Sequence, residues 1–171
     1  MSAADLSLLV RGRLASDGRA VRRVARAAWR ATYAGIAPPG FVRAVLRGGY
    51  DRERLLRSLI DPARDAFVAV RGGRVVGYAD AKARDAHLVE LLRIYVDPDA
   101  QGGGAGHALL AAVLAAARAR GARRVEAGVD PANAPALRWY ARQGFSEARR
   151  DTFTLGRWRR PTVVLARDIA G

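Results

Sequence analysis

Apolar and polar positions change period along the chain, and each change marks an element. Leu6, Leu8 and Val10 alternate with their neighbours, which predicts a half-buried strand over Leu6 to Leu14. After Ser16-Asp17-Gly18 the period lengthens to that of a helix, with Asp17 as candidate N-cap. Val21, Val24, Ala25, Ala28 and Trp29 share one face, while Arg19, Arg22, Arg23, Arg26 and Arg30 fall largely on the other, as far as Tyr33. Gly35-Ile36-Ala37-Pro38-Pro39-Gly40 breaks this helix. A short helix over Pro39 to Arg47 follows, then one after Tyr50 that carries Leu55, Leu56, Leu59 and Ile60.

Beyond Asp61-Pro62 the period falls to two. Ala66 to Val70 and Arg74 to Ala83 read as a hairpin around Gly72-Gly73, and His87 to Val96 as the next strand. Strict alternation would place Glu90, Leu92, Ile94 and Val96 on one face and Leu91, Arg93 and Tyr95 on the other. A helix from Gly104 to Arg120 carries Leu110, Val113, Leu114 and Ala117 as its core stripe, and Gly121 ends it. A strand over Arg124 to Val129 and a helix over Ala134 to Gln143 come next. Strands over Phe145 to Leu155 and Thr162 to Asp168 close the chain around a loop at 156–161. No repeat or long linker divides the 171 residues, so periodicity alone predicts one mixed α/β domain over 1–171.

Composition narrows the chemistry. Half of the residues are hydrophobic, enough for a sizeable core. There is no cysteine, hence no disulfide, thiolate metal site or cysteine nucleophile. The two histidines, His87 and His107, argue against a His-rich metal site, so no metal is expected. No apolar run of membrane-spanning length and no signal-peptide profile is present, which points to a cytoplasmic protein without membrane attachment. The charge is +14, from 30 basic residues against 16 acidic, and Lys82 is the only lysine. An RNA partner would explain such a charge, but the spread of the arginines along helices favours solvated faces over a dedicated nucleic-acid stripe.

The most specific segment is Gln101-Gly102-Gly103-Gly104-Ala105-Gly106, between a strand and a helix. Glycines there let backbone N–H groups approach an anion, and the helix adds its partial positive end. A nucleotide-triphosphate loop would place Lys and Ser or Thr after the last glycine, where His107 and Ala108 stand. A dinucleotide fingerprint would need a third glycine, where His107 or Leu109 stands. What remains is Gln-x-x-Gly-x-Gly after Arg93-Ile94-Tyr95-Val96-Asp97-Pro98. About thirty residues on comes Asn133-Ala134-Pro135-Ala136-Leu137-Arg138-Trp139-Tyr140, running to Gly144-Phe145. The two motifs resemble the acetyl-CoA signature and the second motif of the GNAT superfamily of N-acetyltransferases, with Trp139 where Phe is usual.

The resemblance implies an α+β GNAT fold with a mixed, mostly antiparallel sheet splayed at the acetyl-CoA site. It implies that the backbone of Ile94, Tyr95 and Val96 pairs with the pantetheine arm, with the Val96 N–H the candidate donor to the thioester oxygen. Main-chain amides from Gln101, Gly102, Gly103, Gly104, Ala105, Gly106 and His107 would hold the pyrophosphate. Tyr140 corresponds to the frequent general acid, and Asn133 to a residue that bonds the CoA arm or caps its helix. Glu90 is the candidate base, with a salt bridge to an arginine as its structural role and His87 as runner-up. Trp29, Thr32 and Tyr33 would line the acceptor pocket, with core packing the alternative for Trp29. The expected reaction is direct attack by a primary amine of a small molecule or protein on acetyl-CoA, since no cysteine can carry an acyl group. Acetylation of aminoacyl-tRNA and a non-catalytic CoA-binding module are the alternatives. A homodimer contact through the Trp158 loop is a further expectation.

Overall fold

The computed structural model describes residues 7–169, so Leu6, the expected start of the first strand, lies outside them. The elements run β1 (Leu8–Gly12), α1 (Gly18–Tyr33), α2 (Pro39–Gly49), α3 (Arg52–Ile60), β2 (Arg64–Arg71), β3 (Arg74–Ala83), β4 (Leu88–Val96), α4 (Ala105–Ala119), β5 (Arg124–Val129), α5 (Ala134–Arg142), β6 (Ser146–Leu155) and β7 (Trp158–Asp168). The strands form one sheet in the order β1-β2-β3-β4-β5-β7-β6. Every neighbouring pair is antiparallel except β4 and β5. No helix among the described residues is long and apolar enough to cross a membrane.

The apolar stripes read from the sequence pack on both faces. Leu109, Leu110, Val113 and Leu114 of α4 and Tyr140 of α5 join Ala79, Val89, Leu91, Val125, Val163 and Leu165 on one face. Val21, Val24, Ala25 and Trp29 of α1, with Phe41 and Val45 of α2, join Val68, Val75 and Tyr78 on the other. Beside this second core lies a buried charge cluster. Asp80, 1% exposed, accepts from Arg13 at 2.8 Å and from Arg93 at 3.3 Å. Arg13 also donates to the Leu55 carbonyl and the Ser58 hydroxyl, so through it the end of β1 and α3 are tied to a carboxylate that β3 and β4 share.

Local chemistry departs from expectation in three places. Asp17 does not cap α1. Its carboxylate accepts the Leu14 N–H at 2.7 Å and is gripped by Arg11 at 2.7 and 2.9 Å, because the chain enters the helix through a 3-10 turn at Ala15–Asp17. The expected 156–161 loop is mostly strand. Leu155 pairs with Trp158 across a two-residue turn at Gly156 and Arg157, and Trp158 packs on Phe41 with ring centroids 6.0 Å apart. Burial of that indole within the chain outweighs the loop-like Arg and Pro content. Pro161 is tolerated because β5 ends opposite Val163, so β7 has one strand neighbour there.

The third departure concerns β4. Asp80 pairs with Arg93 but Ala81 pairs with Leu91, so Leu92 is an extra residue, a bulge. Strict alternation therefore fails. Val89 and Leu91 before the bulge and Ile94 and Val96 after it all pack towards α4. Glu90 turns to the other face, with Arg93 and Tyr95, and not to the face of Ile94 and Val96.

Candidate active site

β4 and β5 pair only from Leu88↔Arg124 to Leu91↔Ala127. Beyond that point β4 runs on to Val96 and β5 to Val129 without pairing, which leaves one edge of Leu92–Val96 free of any strand partner. Two clefts meet at this gap, and Tyr33, Leu91, Leu92, Arg93, Tyr95 and Gly128 line both.

The first cleft, about 700 Å³, lies between the end of α1, the start of α4 and α5. Gln101, Gly102, Gly104, Ala105, Gly106, His107 and Asn133 all line it. Gly102 (φ +78°) and Gly104 (φ +82°) are left-handed, a conformation that L side chains adopt only with strain. The first intrahelical bond of α4 runs from the Ala108 N–H to the Gly104 carbonyl, so the amides of Ala105, Gly106 and His107 have no acceptor within the helix. Gly103 has another task. A Cβ on it would run into the Arg71 guanidinium, which donates to its carbonyl, and it does not line the cleft. His107 ties α4 to α5 through Nδ1 and the Gln143 Oε1 at 3.0 Å. The Asn133 side chain accepts the Ala136 N–H at 3.2 Å, which makes it the cap of α5.

Tyr140 lines this cleft and is 7% exposed. Trp139 and Phe145 hold its ring edge-on at 4.9 and 5.2 Å. Burial pushes its phenol well above the ordinary tyrosine value, with a smaller contribution from Tyr33. Thr32 lines this cleft too, not the second one, where the sequence placed it.

The second cleft, about 740 Å³, is bounded by α2, β4, β5 and the β6–β7 hairpin. Its aromatic wall is Trp29 stacked on Tyr33 at 4.3 Å, with Phe41 and Tyr95 beside them. Trp29 is also core, and its indole N–H donates to the Tyr50 hydroxyl at 3.2 Å. Burial raises the pKa of Tyr33, and a hydrogen bond with Tyr95 partly offsets this. Three of the four carboxylates here are matched by arginines, and the fourth, Asp151, accepts the Thr152 N–H. Glu90 pairs with Arg84, Glu126 with Arg149 at 2.7 Å and Arg124 at 3.1 Å, and Asp130 with Arg160 at 2.6 Å. Arg93 lies 4.5 Å over the Tyr50 ring. His87 is exposed and lines neither cleft.

Sequence reasoning missed Glu126, Asp130, Arg93 and Arg160 as cleft residues. Glu126 had a signal, since it is the one acid in the otherwise apolar centre of Arg124–Val129. Arg160 had none, because its place depends on a strand that read as a loop.

Residues 25–145 match the family model for the acetyltransferase (GNAT) family. An uncharacterized N-acetyltransferase of Mycobacterium tuberculosis is 36% identical over 131 residues, which cover 77% of this chain and 84% of that protein. The mycothiol acetyltransferase of Actinosynnema mirum is 43% identical over 89 residues, 51% of this chain and 30% of that protein. Among solved structures, the PaiA N-acetyltransferase from Thermoplasma acidophilum in complex with coenzyme A superposes with a TM-score of 0.82 at 23% identity, covering 95% of this chain and 99% of that one.

Proposed function

The chain belongs to the GNAT acetyltransferase family, and from that premise we propose that it transfers an acetyl group from acetyl-CoA to a primary amine by direct attack at the β4–β5 gap. The observation that carries this reading is the gap itself, where a cleft rich in unpaired backbone groups meets one rich in side chains.

The residues of the first cleft fit CoA. The free edge of Leu92–Val96 suits an extended arm that pairs like an added strand. The amides around Gly102, Gly104, Ala105, Gly106 and His107 suit a pyrophosphate, and the left-handed glycines keep side chains out of that bend. Acetyl-CoA supplies an activated acyl group on a good leaving thiolate. The Val96 backbone N–H is our candidate donor to the thioester oxygen. Tyr140 holds the proton that the leaving sulfur takes up. Its raised pKa keeps the phenol protonated throughout the neutral range.

The amine enters from the second cleft. Its nitrogen must be neutral to attack, and it loses a proton as the C–N bond forms and the C–S bond breaks. Glu90, which pairs with Arg84, takes that proton directly or through water. The arginines there also disfavour a charged ammonium, which eases deprotonation. Trp29 and Tyr33 form the wall on which the acceptor rests. Relatives and structural neighbours named for mycothiol and for ribosomal-protein-S18 alanine span small-molecule and protein acceptors.

The test is thiol release from acetyl-CoA across polyamines, amino acids, aminoglycosides and peptide N-termini, together with calorimetry of CoA binding. Release with one acceptor class supports transfer. CoA binding without release across the panel favours a CoA-binding module, and absence of CoA binding removes the reading altogether.

A further inference from the structure

Residues 18–50 contain seven arginines and no lysine, aspartate or glutamate, so this helical pair carries +7, half of the chain's net +14. Arg23 turns inward to Asp97 at 2.8 Å and to the Val75 carbonyl. The other six, Arg19, Arg22, Arg26 and Arg30 on α1 with Arg43 and Arg47 on α2, are exposed. None of the six forms an ion pair or hydrogen bond among the described residues. Elsewhere arginines find acids: Arg11 has Asp17, Arg84 has Glu90, Arg120 has Asp65 and Arg160 has Asp130. Other arginines without an ion pair, such as Arg123, Arg138, Arg157 and Arg159, lie scattered in the chain, whereas these six share two neighbouring helices that carry no acid. Like charges four residues apart also repel along a helix, so α1 and α2 retain this face at a cost to their own stability.

The geometry is regular. At 3.6 residues per turn, Arg19, Arg22, Arg26 and Arg30 fall within an arc of about 80°, roughly one guanidinium every 5 Å. A groove of about 540 Å³ separates Arg22, Arg26 and Arg30 from Arg43 and Arg47, and the one acid in its lining, Asp51, is paired with Arg54 at 3.3 Å. The guanidinium fork matches phosphate in paired hydrogen bonds. Three other occupants fit less well. A membrane surface needs apolar side chains to insert, and none of the exposed large hydrophobics lies on α1 or α2. A stable protein partner needs an apolar centre, absent for the same reason. A single strand needs aromatic platforms, and the tyrosine at the groove, Tyr50, is 3% exposed.

We propose that the exposed face of α1 and α2 binds a nucleic-acid duplex through its backbone phosphates, without reading base sequence. The surface is separate from the acetyl-transfer reading. However, α2 also walls the acceptor cleft through Phe41 and Val45, so a duplex would lie one helix away from that opening.

The experiment is fluorescence anisotropy with a 24-base-pair RNA duplex of arbitrary sequence from 50 to 200 mM salt. With six phosphate contacts, affinity falls about a thousandfold over that range, for a log–log slope of roughly −5. The variant Arg22→Ser/Arg26→Ser/Arg30→Ser/Arg43→Ser should lose at least a hundredfold at 100 mM salt, and its slope should shrink to roughly −2. The same positions changed to Lys should keep most of the slope. The control Arg123→Ser/Arg138→Ser/Arg157→Ser/Arg159→Ser removes equal charge from other exposed sites and should change affinity less than about threefold, as expected where no phosphate is contacted. Equal loss in both quadruple serine variants, or no binding by the unaltered protein, overturns the proposal. So does tighter binding of polyglutamate, which would mark an acidic protein partner, or of vesicles containing anionic lipid. A DNA duplex of the same length separates the two kinds of duplex. Unchanged CoA affinity in every variant shows that the fold is intact.

Discussion

One cleft at the β4–β5 gap, lined by α1, β4 and α5, is closed at one end by the backbone and small residues of a single run of chain, Gln101 to His107. The other is walled by charged and aromatic side chains from α1, α2, β4, β5 and the β6–β7 hairpin. The first presents groups that every residue owns, and needs only glycines to expose them. The second presents groups that must be brought together from five elements and then neutralised, carboxylate by arginine. A site made of backbone tolerates substitution wherever the conformation is kept, whereas a site made of paired charges can be lost by removing one partner.

The largest expected effect tests that fragility. Asp80→Ala leaves Arg13, whose side chain is 1% exposed, without its carboxylate, and frees Arg93 beside the acceptor cleft. Loss of one partner of a buried pair should cost about 3–5 kcal/mol in chemical denaturation. A loss below about 1 kcal/mol would show the cluster to be dispensable. Next comes Tyr140→Phe, which removes one proton and little volume. Turnover should fall by roughly two to three orders of magnitude while CoA affinity stays within about twofold. Unchanged turnover would take Tyr140 out of the mechanism.

Those two changes draw on different kinds of information. Tyr140 was legible because it sits in a local motif, Asn133 to Phe145. The glycine loop was legible because backbone conformation is written in neighbouring residues. Asp80 and Arg93 were not, since their meeting depends on the register of β3 and β4 and on Arg13 from the far end of β1. The bulge left one mark in the residue pattern, the adjacent Leu91 and Leu92 between Glu90 and Arg93, and strict alternation read across it put Glu90 on the wrong face. Asp17 looked like a cap because local propensity cannot see Arg11 reaching for it. The fold was legible almost throughout, since its core stripes have clean periods. The lining of the second cleft was legible only in Trp29, Tyr33 and Glu90.

Smaller effects sharpen the contrast. Gly104→Val forces a β-branched residue to φ +82° and should weaken CoA binding about tenfold in calorimetry. Gly103→Ala meets only the movable head of Arg71, so it should cost less than about 0.5 kcal/mol of stability while CoA affinity changes less than about threefold. The reverse pattern would move the anion-holding amides to Gly103. Glu90→Gln should lower kcat/KM about tenfold with CoA affinity intact, a modest loss for a base because water can relay the proton. No loss would leave Glu90 as the partner of Arg84 alone.

The smallest effect is general. Burial raises the pKa of Tyr50, Tyr78 and Tyr140 in the folded chain. The folded state thus holds protons that the unfolded chain releases near pH 10. Stability is full below that value and declines as pH rises through it, by roughly 0.4 kcal/mol per tyrosine at pH 10. Denaturation midpoints at pH 8, 9 and 10 check this, and a midpoint that rises with pH would contradict it.

The extra residue in β4 has a consequence for where the strand bends. Its two halves are out of phase, so each keeps its apolar side on α4 by its own count. Leu92 itself belongs to neither count, and as the residue where the strand kinks it lines both clefts. Deleting Leu92 would restore a regular ladder with Val89, Leu91, Ile94 and Val96 still towards α4 and Glu90, Arg93 and Tyr95 still opposite, so what the strand would lose is the local kink and the side chain that lines both clefts.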